Sequence, residues 1–199
     1  MFTGIVTGTG VVRRARLRAG ILDLDIEARG VARELGTGDS VAVNGVCLTV
    51  TGSTRKSFKA QVMEATLAAT TIGALERGSL VNLEPAVRFS DRIGGHLMQG
   101  HVDDRASVIR IEEQDGTRRV WFAPPESAQR YLVPKGSVAI DGVSLTVAEV
   151  GRTSFQVAFI PHTLEVTTLN DLSVGSVVNL EVDVIAKYVE RFVDPLHGR

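Results

Sequence analysis

The sequence has one cysteine, almost no net charge and no long apolar run, and each shortage excludes a class of protein. With Cys47 alone, no disulfide can form within the chain, so the fold needs no oxidising compartment. The 22 Lys and Arg against 23 Asp and Glu give a net charge of -1, which offers no overall field for nucleic acid or an anionic membrane. No apolar run approaches the ~20 residues that span a bilayer, and residues 1–6 lack the basic start of a signal peptide. We therefore expect a cytoplasmic protein with neither nucleic acid nor a membrane as partner.

What the sequence does contain is an internal repeat at an offset of 97 residues. Residues 40–50 read SVAVNGVCLTV, and residues 137–147 read SVAIDGVSLTV. The same register holds without a gap to residues 81–84 and 178–181, both VNLE. Because solenoid repeats are shorter, about 20–50 residues, this period indicates duplication of a whole domain.

Both copies have the pattern of β-structure. Apolar, β-branched residues flank Asn44-Gly45 in the first copy and Asp141-Gly142 in the second, and both pairs are strong hairpin-turn signals. The pattern predicts about six short strands per copy, a number typical of a small barrel. Further strands in the first copy are predicted at residues 5–16, 21–27, 58–63 and 80–84, and short helical crossovers at 66–75 and 163–172, with Thr66 and Thr163 as N-caps.

The predicted fold is therefore all-β: two tandem six-stranded antiparallel (Greek-key) barrels plus a C-terminal α-helix. We expect the first barrel at residues 1–88, a junction at 89–97, the second barrel at 98–183 and the helix at 184–199. The helix has no equivalent in the first copy, and Pro195 ends its apolar stripe. The stripe either packs on its own barrel or mediates self-association. It consists of Val184, Ile185, Tyr188, Val189, Phe192 and Val193.

Several motifs, in order along the chain, resemble the riboflavin synthase family of the α-type. They are MFTGIV at residues 1–6, NGVCLTV at 44–50, GGHLMQGH at 94–101, DGVSLTV at 141–147 and VNLEVD at 178–183. The resemblance implies dismutation of two 6,7-dimethyl-8-ribityllumazine molecules to riboflavin and 5-amino-6-ribitylamino-uracil, with no metal or redox cofactor. It also implies a homotrimer whose C-terminal helices associate, with each active site between the first barrel of one subunit and the second barrel of a neighbour.

The duplication suits such a reaction, because two similar pockets can hold two copies of one substrate. Positioning of this kind can lower a barrier by roughly 7–11 kcal/mol. The substrates play different roles, however, so the two copies must differ in their chemical groups. The repeat offset pairs Gly4 with His101, Gly38 with Lys135, Asn44 with Asp141, Cys47 with Ser144 and Ala86 with Asp183. This asymmetry predicts that the second barrel supplies most of the acid–base chemistry.

Three residues are the leading catalytic candidates, and each has a structural alternative. His101 is a natural proton carrier near neutral pH, but it could instead satisfy a backbone group in a loop. Asp183 could act on the substrate or cap the helix that follows it. The resemblance places Ser144 at the ring, whereas its neighbour Asp141 is an ordinary turn residue.

Lys135 and Cys47 are the other catalytic candidates. Lys135 could hold an anionic form of the substrate, or it could be a solvated lysine before a glycine turn. Cys47 is expected to contact the ring and assist, although a free cysteine on an apolar strand is more often simply small and buried.

The resemblance also implies the residues that bind the substrate, mostly through main-chain groups. Phe2 is expected to lie over a ring. Ala65 stands where many members have an acidic residue, and His162 holds the matching position in the second copy. For the first barrel the expected set is Phe2, Gly4, Ile5, Val6, Ser40, Cys47, Leu48, Thr49, Gln61, Val62, Met63, Glu64, Ala65 and Thr66. For the second it is Gly100, His101, Val102, Lys135, Ser144, Leu145, Thr146, Ala158, Phe159, Ile160, Pro161, His162 and Thr163.

Two other functions compete with the enzyme. A lumazine or flavin carrier would share the duplicated barrel without turning its ligand over; His101, Ser144 and Asp183 favour the enzyme. A flavin reductase barrel is disfavoured because no G-x-G-x-x-G unit follows. No metal is expected, because the spacing of His96, His101 and the acids at 103 and 104 matches no zinc pattern.

Overall fold

The computed structural model describes residues 1–114 and 116–193, and these form two closed antiparallel barrels. The first contains β1 (Gly8–Arg18), β2 (Ile21–Glu27), β3 (Ser40–Val43), β4 (Val46–Ser53), β5 (Ser57–Val62) and β6 (Leu80–Pro85). The second contains β7 (Asp104–Gln114), β8 (Thr117–Ala123), β9 (Ser137–Ile140), β10 (Val143–Val150), β11 (Phe155–Phe159) and β12 (Val177–Val182).

Both barrels have the same topology, which closes in the order β1-β2-β5-β4-β3-β6 and its equivalent in the second barrel. Strands β3, β4 and β5 are consecutive neighbours, and β6 returns to pair with β3. That connection is the Greek key. The predicted fold class is confirmed.

Each barrel encloses its own apolar core. The residues of β2 alternate between buried and half-buried, as expected for one face of a strand against a core. Leu24, Ile26 and Phe58 belong to the first core. In the second, Phe122 and Phe155 stack with ring centroids 5.3 Å apart.

The helical crossovers are present, but the predicted N-caps are wrong. Thr66 lies inside α1 (Glu64–Ala69) and Thr163 inside α3 (Pro161–Val166). The caps are instead Thr70 and Thr167, which precede the 3₁₀ helices Thr71–Ala74 and Thr168–Asp171. Their hydroxyls accept hydrogen bonds from backbone N–H groups in the first turns of these helices. The same hydroxyls donate to the carbonyls of Thr66 and Thr163, at 2.7 and 2.6 Å, and so join the two helical turns.

Two further helices lie in the second half of the chain, α2 (Glu126–Gln129) and α4 (Val184–Val193). A 3₁₀ turn at Val31–Arg33 precedes β3. The predicted continuation of α4 to residue 199, with Pro195, lies outside the described residues. No helix among residues 1–114 and 116–193 has the length and apolar character needed to cross a membrane.

The two predicted hairpin turns meet where the barrels touch. Asn44, Gly45, Asp141 and Gly142 all have positive φ, between 43° and 79°, which is the left-handed backbone of a type I′ turn. A Cβ on Gly45 would lie 2.7 Å from the backbone nitrogen of Gly142. Glycine is therefore required for both its dihedral angles and this close approach.

Paired asparagines hold the barrels together across this contact. The Asn82 amide donates to the Asp141 carbonyl at 3.0 Å, and the Asn179 amide donates to the Asn44 carbonyl at 2.8 Å. The Asp141 carboxyl lies here, fully buried, and accepts from the backbone N–H of Asn179 at 2.8 Å. Its counterpart Asn44 accepts from the backbone N–H of Asn82 at 2.7 Å. The turn alternative is therefore the one that fits Asp141.

Asp141→Asn is expected to stabilise the protein in a pH-dependent way. Burial raises the pKa of Asp141 to about 7, from 3.8, and the Asn179 N–H only partly offsets it. As the pH rises, the unfolded chain therefore loses this proton first, and the carboxyl's contribution to stability falls between about pH 4 and pH 7. Asn keeps the acceptor without the charge, so we expect a melting temperature roughly 10 °C higher at pH 8 and nearly unchanged at pH 4.

Thermal unfolding by circular dichroism at the two pH values measures this. The reciprocal variant Asn44→Asp is the matched control and should destabilise at pH 8. An equal effect of Asp141→Asn at both pH values would contradict the prediction.

Candidate ligand-binding sites

The short segments ahead of each barrel cross to the other barrel. The carbonyl of Gly4 accepts from the backbone N–H of Ser144, and the carbonyl of Gly100 accepts from that of Cys47, both at 2.9 Å. Val6 packs against the second core, and Val102 packs against the first. The expectation that residues 4–6 serve the first barrel and residues 100–102 the second is therefore wrong: the two sets are exchanged.

Within these segments the repeat offset is 96 residues instead of 97. Gly4 and Gly100 have matching φ values of 77° and 75°, and each bonds the equivalent hairpin of the opposite copy. The counterpart of His101 is therefore Ile5 and not Gly4. The pairing made from sequence was wrong because it extended the register of residues 40–84 across a junction that differs by one residue.

The first site is a cavity of about 250 Å³ beside Cys47. The Cys47 thiol is half-buried, and His101 is exposed at the edge. His101 thus lies at the first-barrel site, so the expectation that the second barrel supplies most acid–base groups is wrong for this residue. Six predicted residues line the cavity together: Cys47, Ala65, Thr66, Gly100, His101 and Val102.

The other residues predicted for the first site are spread around its strands. Leu48 and Val62 belong to the barrel core, so only their main chain could reach a ligand. Gln61 donates to Asp23 at 2.8 Å on the outer face. Thr49, Met63 and Glu64 are exposed.

Phe2 lies between the barrels instead of over a pocket. It is 1% exposed and packs with Ala42, Met98 and Ala139. Its backbone forms a two-way bridge with Met98, at 2.8 and 3.0 Å. This placement contradicts the expectation that Phe2 covers a bound ring, because its side chain has no free face.

At the second site, Ser144 has a partner that the sequence did not reveal. The Nδ1 atom of His96 lies 2.7 Å from the Ser144 hydroxyl, and the imidazole is buried. Burial lowers the pKa of His96, and the negative charge of Asp183 partly opposes this. The ring is therefore neutral at physiological pH and can polarise the hydroxyl. Comparison of the repeats could not find His96, since Met98 matches Phe2 and the position of His96 would precede Met1.

Asp183 and Lys135 both occupy structural positions. The Asp183 carboxylate accepts from the backbone N–H of Ile185 at 2.9 Å, so it caps α4 while also acting on His96. Lys135 is exposed in a turn with φ of 66°, and its N–H donates to the Val147 carbonyl at 2.8 Å. Gly38 makes the same turn in the first copy.

The remaining predicted residues of the second site lie near the end of β11 and along β10. Phe159 is buried in the core, and Leu145 and Thr163 are half-buried. Thr146, Ala158, Ile160, Pro161 and His162 are exposed.

Two predicted residues, Ile5 and Ser40, line another cavity, of about 480 Å³, together with Thr3, Glu84 and Arg88. The segment that crosses to the second site therefore also borders this cavity. Among the residues that the structure describes, no group of three potential metal ligands comes together.

Comparison with known proteins agrees with this duplicated architecture. The lumazine binding domain matches the chain twice, at residues 3–86 and 99–183. Riboflavin synthase of Mycobacterium tuberculosis is 45% identical over 197 residues, which cover 97% of this chain and 98% of the relative. The chain belongs to the riboflavin synthase family. The riboflavin synthase of Bacillus subtilis is 40% identical over 97% of this chain and 90% of its own length.

Solved structures show the same fold with ligands. The crystal structure of LumP complexed with 6,7-dimethyl-8-(1'-D-ribityl) lumazine has a TM-score of 0.82 at 26% identity, covering 92% of this riboflavin synthase family member and 99% of LumP. LumP complexed with riboflavin has a TM-score of 0.83 at 27% identity, with the same coverage.

Proposed function

We propose that the protein is a riboflavin synthase that dismutates two molecules of 6,7-dimethyl-8-ribityllumazine to riboflavin and 5-amino-6-ribitylamino-uracil. The observation that carries this is a repeated arrangement in which the segment ahead of each barrel bonds the hairpin of the other copy. It lies beside the Cys47 cavity in one case and the His96–Ser144 pair in the other. Two equivalent sites fit a reaction between two copies of one ring. The family membership and the lumazine and riboflavin bound by LumP support the same ligands.

The two sites differ in the groups needed for proton transfer. His101, at the first site, is the group we assign to removal of a proton from the 7-methyl carbon of a bound lumazine. At the second site the neutral His96 holds the Ser144 hydroxyl, and Asp183 provides negative charge nearby. We assign Ser144 to contact with the partner ring, where it can position an attacking water or an exocyclic group. We assign Cys47, which lines the first cavity, to contact with the ring, and Lys135, in an exposed turn, to an anionic form of the substrate.

We propose that the chain self-associates through α4, and the way the helix is attached supports this. Its polar side is joined to the second barrel: Lys187 pairs with Asp103 at 2.6 Å, and Glu190 contacts Arg130 and Tyr131. Its apolar side faces outward, where Ile185, Tyr188, Val189 and Phe192 are each more than half exposed. An exposed apolar stripe of this kind favours association with other copies. The stripe supports association, and the family resemblance implies three subunits, so we propose a homotrimer in which neighbouring first and second barrels form each active site.

A carrier that binds lumazine without turnover is the second candidate, because LumP shares the fold. The enzyme is favoured by the higher identity to riboflavin synthases, 45% against 26%, over nearly the whole chain. His101 and the His96–Ser144 pair supply the proton-transfer groups that a carrier does not need.

Incubation of the purified protein with 6,7-dimethyl-8-ribityllumazine should yield one riboflavin for every two lumazines consumed. The pair of sites is the reason for this ratio. Flavin absorbance and fluorescence measure the product, with and without a metal chelator, which should have no effect. Lumazine that stays bound and unchanged would place the protein among the carriers.

His101→Asn should lower turnover by roughly 10²–10⁴-fold, the usual contribution of a positioned proton-transfer group. The affinity for lumazine should change much less, because the group acts mainly in the transition state. Cys47→Ser, at the same cavity, is the matched control and should keep substantial activity. The assignment fails if Cys47→Ser is inactive while His101→Asn turns over normally.

Removal of residues 184–199 should give barrels that bind lumazine but turn over poorly, because the exposed apolar face of α4 is lost. Analytical ultracentrifugation of the full-length and shortened chains measures the association, and titration with lumazine measures binding. A full-length protein that is both monomeric and fully active would exclude an active site between subunits.

A further inference from the structure

We propose that two buried glutamates control the ligand sites crosswise: Glu181, on the second barrel, positions the segment that closes the first site, and Glu84, on the first barrel, positions the segment that closes the second. The inference rests on the proposed function only in treating these sites as ligand-binding. The carboxylates lie on the last strands of their barrels, β12 and β6, and each is 4% exposed.

Each carboxylate holds two consecutive backbone N–H groups. Glu181 accepts from Gln99 at 2.8 Å and from Gly100 at 3.0 Å, one bond to each oxygen. Glu84 accepts from the backbone of Thr3 at 2.7 Å and of Gly4 at 3.0 Å, and also from the Thr3 hydroxyl at 2.8 Å. Because both oxygens of each carboxyl accept a backbone hydrogen bond, each segment is held at two consecutive residues.

The held glycine passes this constraint to the opposite hairpin. Gly100 donates to Glu181 through its N–H, and its carbonyl accepts from the backbone N–H of Cys47. A Cβ on Gly100 would lie 2.7 Å from the Cβ of Cys47, so the segment has no room to shift toward the strand. His101 is the next residue, and its place at the first site therefore depends on Glu181.

The same arrangement at Glu84 has a different consequence, because Ile5 replaces His101 as the residue after the held glycine. Loss of the Glu84 contact displaces an apolar side chain, whereas loss of the Glu181 contact displaces a proton carrier. Glu84 and Glu181 are thus matched in burial and in their two backbone bonds, although Glu84 also accepts from the Thr3 hydroxyl. They differ in the site they reach, which makes each the control for the other.

The test uses Cys47 as a reporter, since it is the only cysteine and lies in the first site. In Glu181→Gln, the amide nitrogen replaces one acceptor and faces a backbone N–H, so the segment loosens and alkylation of Cys47 by iodoacetamide should become roughly tenfold faster. Glu84→Gln should leave the rate of Cys47 alkylation within about twofold of that of the unaltered protein. The two Gln variants should lower the melting temperature by similar amounts. In a Cys47→Ser, Ser144→Cys chain the pattern should reverse, with Glu84→Gln accelerating the labelling of the new cysteine.

Turnover distinguishes positioning of His101 from a general loss of structure. Glu181→Gln should lower kcat more than it raises KM, and adding it to His101→Asn should cost little more than His101→Asn alone. If either Gln variant fails to fold, Glu181→Asp and Glu84→Asp shorten the side chain at the same contacts and carry the same expectations.

The proposal is overturned if both Gln variants accelerate Cys47 labelling equally or if neither does. It is also overturned if the losses of turnover caused by Glu181→Gln and His101→Asn multiply independently. An absence of lumazine turnover in the unaltered protein would refute the proposed function instead, and the labelling pattern would still decide the crosswise control.

Discussion

Both sites depend on the exchange of short segments between the barrels. A carbonyl ahead of each barrel accepts from a backbone N–H of the opposite hairpin, at Cys47 in one case and Ser144 in the other. Neither barrel alone supplies both sides of its site. This explains why the glycines at the contact are constrained by left-handed φ and by neighbours closer than a Cβ permits. The two barrels are therefore joined in part through main-chain bonds, which do not require particular side chains.

The sequence predicted the barrels well because their determinants are local. Alternating apolar residues and the Asn44-Gly45 and Asp141-Gly142 turns specify strands and hairpins without reference to the rest of the chain. The crossing of residues 2–6 could not be predicted in this way, since it depends on which barrel offers a free backbone N–H. Near His101 the repeat offset changes from 97 to 96 residues, and Phe2 is buried between the barrels. Both follow from the crossing of these segments to the opposite barrel. His96 was missed for another reason: its position has no counterpart in the first copy.

Buried polar groups mark the points where the two copies are joined. Asn82 and Asn179 exchange bonds across the hairpins, and the carboxylates of Glu84 and Glu181 hold the crossing segments. Burial raises the pKa of both glutamates, and the backbone N–H groups oppose this shift. Each contact is costly if half-satisfied, so correct pairing of the barrels is strongly favoured over other arrangements. The apolar cores stabilise each barrel, while these bonds determine how the barrels meet.

A duplicated fold can hold two identical rings in equivalent positions only if its main chain is symmetric. It can give the two rings different chemical roles only if the side chains around them differ. The structure separates these requirements. The hairpins, the held glycines and the glutamates repeat closely, so the frame of each site is the same. His101 opposite Ile5, and the His96–Ser144 pair opposite Cys47, supply the difference. Because these groups project from an unchanged frame, chemical asymmetry could arise by substitution without disturbing the geometry that brings two rings together.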